Sequence, residues 1–319
     1  MDDSVTINAE SLDTYGDWRN AAVRPRRIGH ATFVTPDLDR AIDYYTGVNG
    51  LVLAEREKDR AFFASKTGLL VVRLDKGDDP VCTSLAFEVA ADSDFGAMNR
   101  RLAAEGIRGE VRSDPVPGIG EVLAFKDNKN TTIELFRSWD YLGSHHRVLG
   151  VGPLKLGHVA FVAVDLEATA RFYQQVMGFR VSDWIGDFFV FMRCGPDHHT
   201  VNFIRGSVDK LDHFAFELKD FAHIQDACEL LAQKDMPIIW GPVRQGPGHN
   251  VAIYHRTPDD LVCEFYIELD QLKDEDLGYF EPRPWHRDTP QRPRVWARET
   301  AKIWGPPPTD DFRRGRGRD

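Results

Sequence analysis

Two histidines and one glutamate, His158, His213 and Glu264, sit on three separate short apolar runs in the second half of the chain. The runs are Gly157-His158-Val159-Ala160-Phe161-Val162, Leu211-Asp212-His213-Phe214-Ala215-Phe216 and Val262-Cys263-Glu264-Phe265-Tyr266. Segments of this length, rich in Val and Phe, predict β-strands. Two imidazoles and one carboxylate can hold one face of a divalent metal and leave the other face open, the donor set of Fe(II) oxygenases. For this to work the three strands must meet in space. Aromatic residues Trp184, Phe188, Phe189 and Phe191 precede the pair His198-His199 and are candidates to line an apolar pocket beside the metal, with an ordinary sheet core as the alternative.

The elements that would position these residues occur twice. Arg27-Ile28-Gly29-His30-Ala31-Thr32-Phe33-Val34 matches Lys155-Leu156-Gly157-His158-Val159-Ala160-Phe161-Val162 at an offset of 128. Leu85-Ala86-Phe87-Glu88 matches Phe214-Ala215-Phe216-Glu217 at 129, and Ile133-Glu134-Leu135-Phe136 matches Cys263-Glu264-Phe265-Tyr266 at 130. A period held this closely over a hundred or so residues indicates duplication of one module. Each module reads strand, helix, three strands, helix, then further strands. Asp37 is a fitting N-cap for a helix whose Leu38, Ala41, Ile42 and Tyr45 share one face, and Gly50 closes it. Asp165, Leu166, Ala170, Tyr173, Val176 or Met177, and Gly178 repeat the pattern. Second helices are expected over about Phe95–Ala104 and Phe221–Gln233.

Duplication also supplies an internal control. His30 and Glu134 persist in the first module, but Ser84 stands where the second has His213, and Phe125 is read as the counterpart of Tyr254. Leu70 and Val71 fall near the positions of His198 and His199. Polar residues needed only for folding would be needed in both modules; these concentrate in one. The first module is therefore expected to be metal-free and the second to bind the ion.

These residues resemble those of the type I extradiol ring-cleaving dioxygenases of the vicinal oxygen chelate superfamily, over about Arg27 to Tyr266. The motifs are Gly157-His158, Asp197-His198-His199-Thr200, Asp212-His213-Phe214, and Tyr254 ten residues before Glu264. The resemblance implies an α+β fold of two tandem modules of paired βαβββ units, each a curved mixed sheet around a site. It implies Fe(II), or alternatively Mn(II), on His158, His213 and Glu264. His199 would be the acid/base histidine and Tyr254 a neighbour of the bound substrate. A catechol-type substrate and O2 would meet there, and the aromatic ring would open beside its two hydroxyls, as in aromatic compound degradation. One position departs from the family: Gln245, in Val243-Arg244-Gln245, stands where a histidine is common. A glutamine still forms hydrogen bonds but does not titrate near neutral pH. His249 is a candidate to replace it, and His198 a further candidate near substrate. Rival readings are another metal enzyme of the superfamily, an isomerase or a 2-oxo acid oxygenase, and a non-catalytic binder of the bleomycin-resistance kind.

Composition adds bounds. A chain of 319 residues has length for two domains with cores of their own. The net charge of -10 argues against nucleic acid or an anionic membrane as partner. No signal-peptide pattern or membrane-length apolar run is read, and Cys82, Cys194, Cys228 and Cys263 form no disulfide framework, which points to the cytoplasm. The expected organisation is an N-terminal arm (1–26), a metal-free module (27–147), an iron module (148–269), an extension (270–305) and a disordered tail (306–319). The extension is expected either to cover the active-site mouth or to contact a neighbouring subunit in a homo-oligomer. His145 and His146 are read as a solvated linker, and His223, His255 and His286 as surface residues.

Overall fold

The computed structural model describes residues 17–143, 149–281, 291–300 and 302–314. The first module runs β1 (Arg27–Thr35), α1 (Leu38–Gly47), β2 (Val52–Arg56), β3 (Arg60–Ala64), β4 (Leu70–Lys76), β5 (Cys82–Glu88), α2 (Phe95–Ala104), β6 (Glu110–Val116), β7 (Ile119–Lys126) and β8 (Thr132–Phe136). The second repeats it as β9 (Lys155–Ala163), α3 (Leu166–Gln175), β10 (Arg180–Ile185), β11 (Phe189–Arg193), β12 (Val201–Arg205), β13 (Lys210–Glu217), α4 (Phe221–Gln233), β14 (Trp240–Gln245), β15 (Val251–Arg256) and β16 (Val262–Ile267). These are paired βαβββ units. A reading of three strands between the helices falls one short, because β5 and β13 open the second unit of each pair.

Both modules form mixed sheets of the same order, β2-β3-β4-β1-β5-β8-β7-β6 in the first and β10-β11-β12-β9-β13-β16-β15-β14 within the second. The opening strands of the two units, β9 and β13, pair antiparallel at the centre, and each takes its other partner (β12 or β16) in parallel. His158, His213 and Glu264 therefore lie on three adjacent central strands. The turns that permit this are local. Asp37 and Asp165 accept backbone N–H groups of Arg40 and Ala168 at 3.1 and 2.9 Å, and Gly50 and Gly178 take φ of 71° and 67° after the helices. On α1 the buried face is Leu38, Ala41, Tyr44 and Tyr45; Ile42 is only half-buried. Tyr44 displaces it inward because its hydroxyl lies 2.7 Å from His255 Nε2 of the second module.

The modules are joined by reciprocal loops. The loop after β15 brings Asp259 and the Pro258 carbonyl to Arg40 of α1, and the loop after β7 brings Asp127 to the Tyr173 hydroxyl of α3 at 3.0 Å. Lys129 is buried there beside Asp127, its ammonium 4.7 Å from the centre of the Phe203 ring. Burial lowers the lysine pKa, and the Asp127 carboxylate opposes that shift.

Beyond the duplicated part, β17 (Arg294–Trp296) pairs in parallel with β10, and β18 (Lys302–Trp304) pairs antiparallel with β14. The extension thus caps both edges of the second sheet. The expected disordered tail is not what residues 306–314 do: Thr309 caps a short helix, α5 (Asp310–Arg313), and Phe312 is buried against Trp240 and Tyr254. One aromatic side chain with an apolar socket outweighs the Pro and Arg around it. The rest of that tail lies outside the described residues, as do His145, His146 and His286. Among the described residues no helix is long and apolar enough to cross a membrane.

Candidate metal centre and active site

His158 Nε2 and His213 Nε2 lie 3.1 and 3.2 Å from Glu264 Oε2 and 3.4 Å from each other. Donors about 2.1 Å from an ion and at right angles are spaced by about 3.0 Å, so these three fit one face of an octahedron. The neighbours prepare them. Asp212 Oδ2 is 2.7 Å from His213 Nδ1, which puts that ring's proton on Nδ1 and its lone pair on Nε2. Asn250 Nδ2 donates to Glu264 Oε1 at 2.9 Å, leaving Oε2 for an ion. Two imidazoles and a carboxylate converging at buried positions, oriented by Asp212 and Asn250, fit a divalent metal.

A register shift between Leu211 and His213 in the β13–β9 ladder explains how adjacent residues meet. In regular pleat Asp212 and His213 point to opposite faces; a bulge re-aims one of them. The same glycine precedes both histidines for steric reasons. A methyl at Gly157 falls 1.8 Å from the Tyr266 hydroxyl, and one at Gly29 falls 2.5 Å from the Phe136 ring.

Electrostatics follow the geometry. Burial alone raises the Glu264 pKa, but the two imidazoles overcome it and hold the carboxyl down to about 2. His158 is lowered, chiefly by burial. Burial also disfavours charge on His213, yet hydrogen bonds to Asp212 and Glu264 win and raise it. His199 is pushed well below its ordinary value by burial and by its neighbours His158, His198 and His213, so it is neutral near neutral pH.

The triad opens onto a cavity of about 590 Å³. His199 lines it, its ring centre 4.3 Å from that of His158. Tyr254 lines it with its ring edge-on to His213, stacked on Trp240 at 5.1 Å. Gln245 also lines the cavity, and its amide donates to the Tyr254 hydroxyl. Phe188, Phe189 and Phe191 form an apolar wall, whereas Trp184, offered above as a wall residue, belongs to the hydrophobic core. Alternation explains the split: Asp183 faces His198, so Trp184 faces away. His249 does not reach the cavity; its Nδ1 bonds to Asp270 and its ring packs on Trp296. His198 stands behind His199, with Nδ1 2.9 Å from His199 Nδ1 and Nε2 3.0 Å from Asp183 Oδ2. The extension closes the outside through Arg298, Glu299 and Lys302, and the segment after it adds Pro308 and Phe312.

Several expectations change here. His255 is fully buried, not on the surface, and burial lowers its pKa to about 3. His223 is partly buried, with Nε2 2.7 Å from the Val151 carbonyl. By ladder register the counterpart of Tyr254 is Ala124, opposite Glu134; Phe125 corresponds to His255. In the first module His30 and Glu134 persist 3.7 Å apart beside Ser84. Among the described residues, His158, His213 and Glu264 form the one cluster with metal-ligand geometry. Asp183, Asn250, Trp296 and Phe312 were missed. Asn250 directly follows His249, a residue already singled out, but nothing in the sequence aligns Asp183 or Phe312 with the candidate ligands.

Comparison with known proteins bears on the family and the fold. Residues 27–135 and 155–265 match the model of the Glyoxalase/Bleomycin resistance protein/Dioxygenase superfamily. A metapyrocatechase from Pseudomonas sp. (strain CF600) is 23% identical over 253 residues, 73% of this chain and 82% of that protein. The Mn(II)-bound glyoxalase from Novosphingobium aromaticivorans superposes with a TM-score of 0.78 at 23% identity, over 90% of this chain and 94% of that one. Homoprotocatechuate 2,3-dioxygenase from Brevibacterium fuscum, in an anaerobic complex with 3,4-dihydroxyphenylacetate, superposes with a TM-score of 0.76 at 23% identity, over 93% and 94%.

Proposed function

We propose, from the premise that this chain belongs to the Glyoxalase/Bleomycin resistance protein/Dioxygenase superfamily, that it is an extradiol dioxygenase which opens the ring of a catechol beside its two hydroxyls with O2. The observation that carries the reading is one cavity holding a three-ligand site with an open face, a neutral histidine and a tyrosine. His158, His213 and Glu264 would hold Fe(II), with Mn(II) compatible with the same donors. A bound metal would supply Lewis-acid and electron-transfer chemistry toward a catechol and O2.

The protein's own groups do the rest. His199, neutral and inside the cavity, accepts a proton from a catechol hydroxyl and returns it later. The Tyr254 hydroxyl, held by Gln245, donates to the substrate oxygen that loses its proton. Phe188, Phe189 and Phe191 bury the ring and exclude water. Ring opening gives a muconic semialdehyde type of product that keeps both atoms of O2.

The isomerase reading draws on the likeness to a Mn(II)-bound glyoxalase. Against it stand the three-ligand cluster among the described residues and the proton-carrying pair beside its open face. Oxygen uptake decides. The protein loaded anaerobically with Fe(II) is given catechol and O2 without any 2-oxo acid; stoichiometric O2 consumption with a yellow ring-opened product is expected. No uptake with any of a panel of substituted catechols would overturn the assignment.

A further inference from the structure

Asp183, His198 and His199 form a buried hydrogen-bonded chain from the edge of the catalytic sheet into the cavity. Two neutral imidazole nitrogens that face each other bond only if one carries the proton and the other a lone pair. His198 Nδ1 and His199 Nδ1 face each other at 2.9 Å, so the site has two possible proton arrangements. Asp183 selects between them. Its neighbours donate to it: the Arg294 backbone N–H reaches Oδ1 at 2.8 Å, and the Trp296 indole N–H reaches Oδ2 at 2.7 Å. An ionised carboxylate only accepts, so His198, 3.0 Å away, places its proton on Nε2. Its Nδ1 is then bare, and His199 must carry its proton on Nδ1. The Nε2 lone pair of His199 is what remains to receive a substrate proton.

We propose that Asp183 is a positioning residue for proton transfer, setting the tautomer of His199 through His198, with β17 of the C-terminal extension holding it in place. The proposal rests on the reading of His199 as the proton carrier. It gives Arg294 and Trp296, far outside the duplicated modules, a part in the chemistry. An amide in place of the carboxylate breaks the logic. If the nitrogen of that amide faced His198, it would reverse both tautomers, leave His199 with a hydrogen on Nε2 and oppose the Trp296 N–H; if the oxygen did, the NH2 would oppose the Arg294 N–H.

Two measurements test this. In ¹⁵N-histidine spectra of the native protein loaded with diamagnetic Zn(II), His199 Nδ1 is expected to be pyrrole-like and Nε2 pyridine-like. The reverse pattern overturns the proposal without any substitution. With Fe(II), Asp183→Asn is expected to lose about 10²- to 10⁴-fold in kcat, while metal content and KM for catechol stay within about threefold. Wild-type turnover in a folded, iron-loaded Asp183→Asn protein, or loss of its metal, overturns it. Trp296→Phe, which keeps the carboxylate, should retain the native tautomer and lose under about tenfold. Native protein that takes up no O2 with catechols refutes the enzymatic reading instead, and the nitrogen spectra still decide the tautomer.

Discussion

At the scale of single residues, the site is a contrast between two copies of one arrangement. His158, Glu264 and His213 come together within 3.4 Å; His30 and Glu134 sit 3.7 Å apart with Ser84 in the third place. Replacing His213 with Ala should therefore abolish metal binding, measured as bound iron after anaerobic loading, while His30→Ala should load in full. Retained occupancy in the first variant, or lost occupancy in a folded form of the second, contradicts the single-site reading. His199→Asn should keep its iron and bind catechol but turn over about 10²- to 10⁴-fold more slowly, read by stopped-flow absorbance. The candidate ligands were legible in the sequence because His158 and Glu264 lie in repeated motifs, and the missing histidine at Ser84 was visible by subtraction. What holds the ligands was not. Asp212 meets His213 only because the strand bulges, and a bulge leaves no mark in a pattern of alternating apolar residues.

At the scale of elements, helix starts were readable because Asp caps are local signals, whereas α1 and α3 end about three residues before the glycines expected to close them. Phe95–Ala104 and Phe221–Gln233 are helical as expected. The extension and the tail were opaque for the opposite reason: β17, β18 and α5 take their conformation from a sheet edge and an apolar socket built elsewhere. Phe312 fills that socket beside Trp240 and Tyr254 and reaches the cavity. Phe312→Ala should raise KM for a substituted catechol about tenfold, the order expected from losing ~1.5 kcal/mol of apolar contact, with metal content unchanged. An unaltered KM would mean that α5 only fills space. Gly157→Ala should destabilise by about 1–3 kcal/mol in denaturant unfolding, because its methyl meets the Tyr266 hydroxyl.

At the scale of the whole molecule, the seam between modules carries a pH dependence. His255, buried and hydrogen-bonded at Nε2 by the Tyr44 hydroxyl, has its pKa lowered to about 3, against about 6.5 in an unfolded chain. The unfolded chain therefore takes up the extra proton first. Stability from this group is whole above about pH 6.5 and declines as pH falls towards 3, by up to ~1.4 kcal/mol per pH unit. His255→Gln should flatten the slope between about pH 6 and about pH 4 in urea titrations, and an unchanged slope would remove His255 as its source. The extension has a consequence of its own for the life of the chain. Its strands cover both flanks of the catalytic sheet, so a polypeptide cut short before Arg294 leaves β10 and β14 with unpaired backbone groups, a template for joining to other copies. Such fragments are expected to precipitate, seen as light scattering, so the segment that roofs the cavity also keeps the sheet from joining other copies.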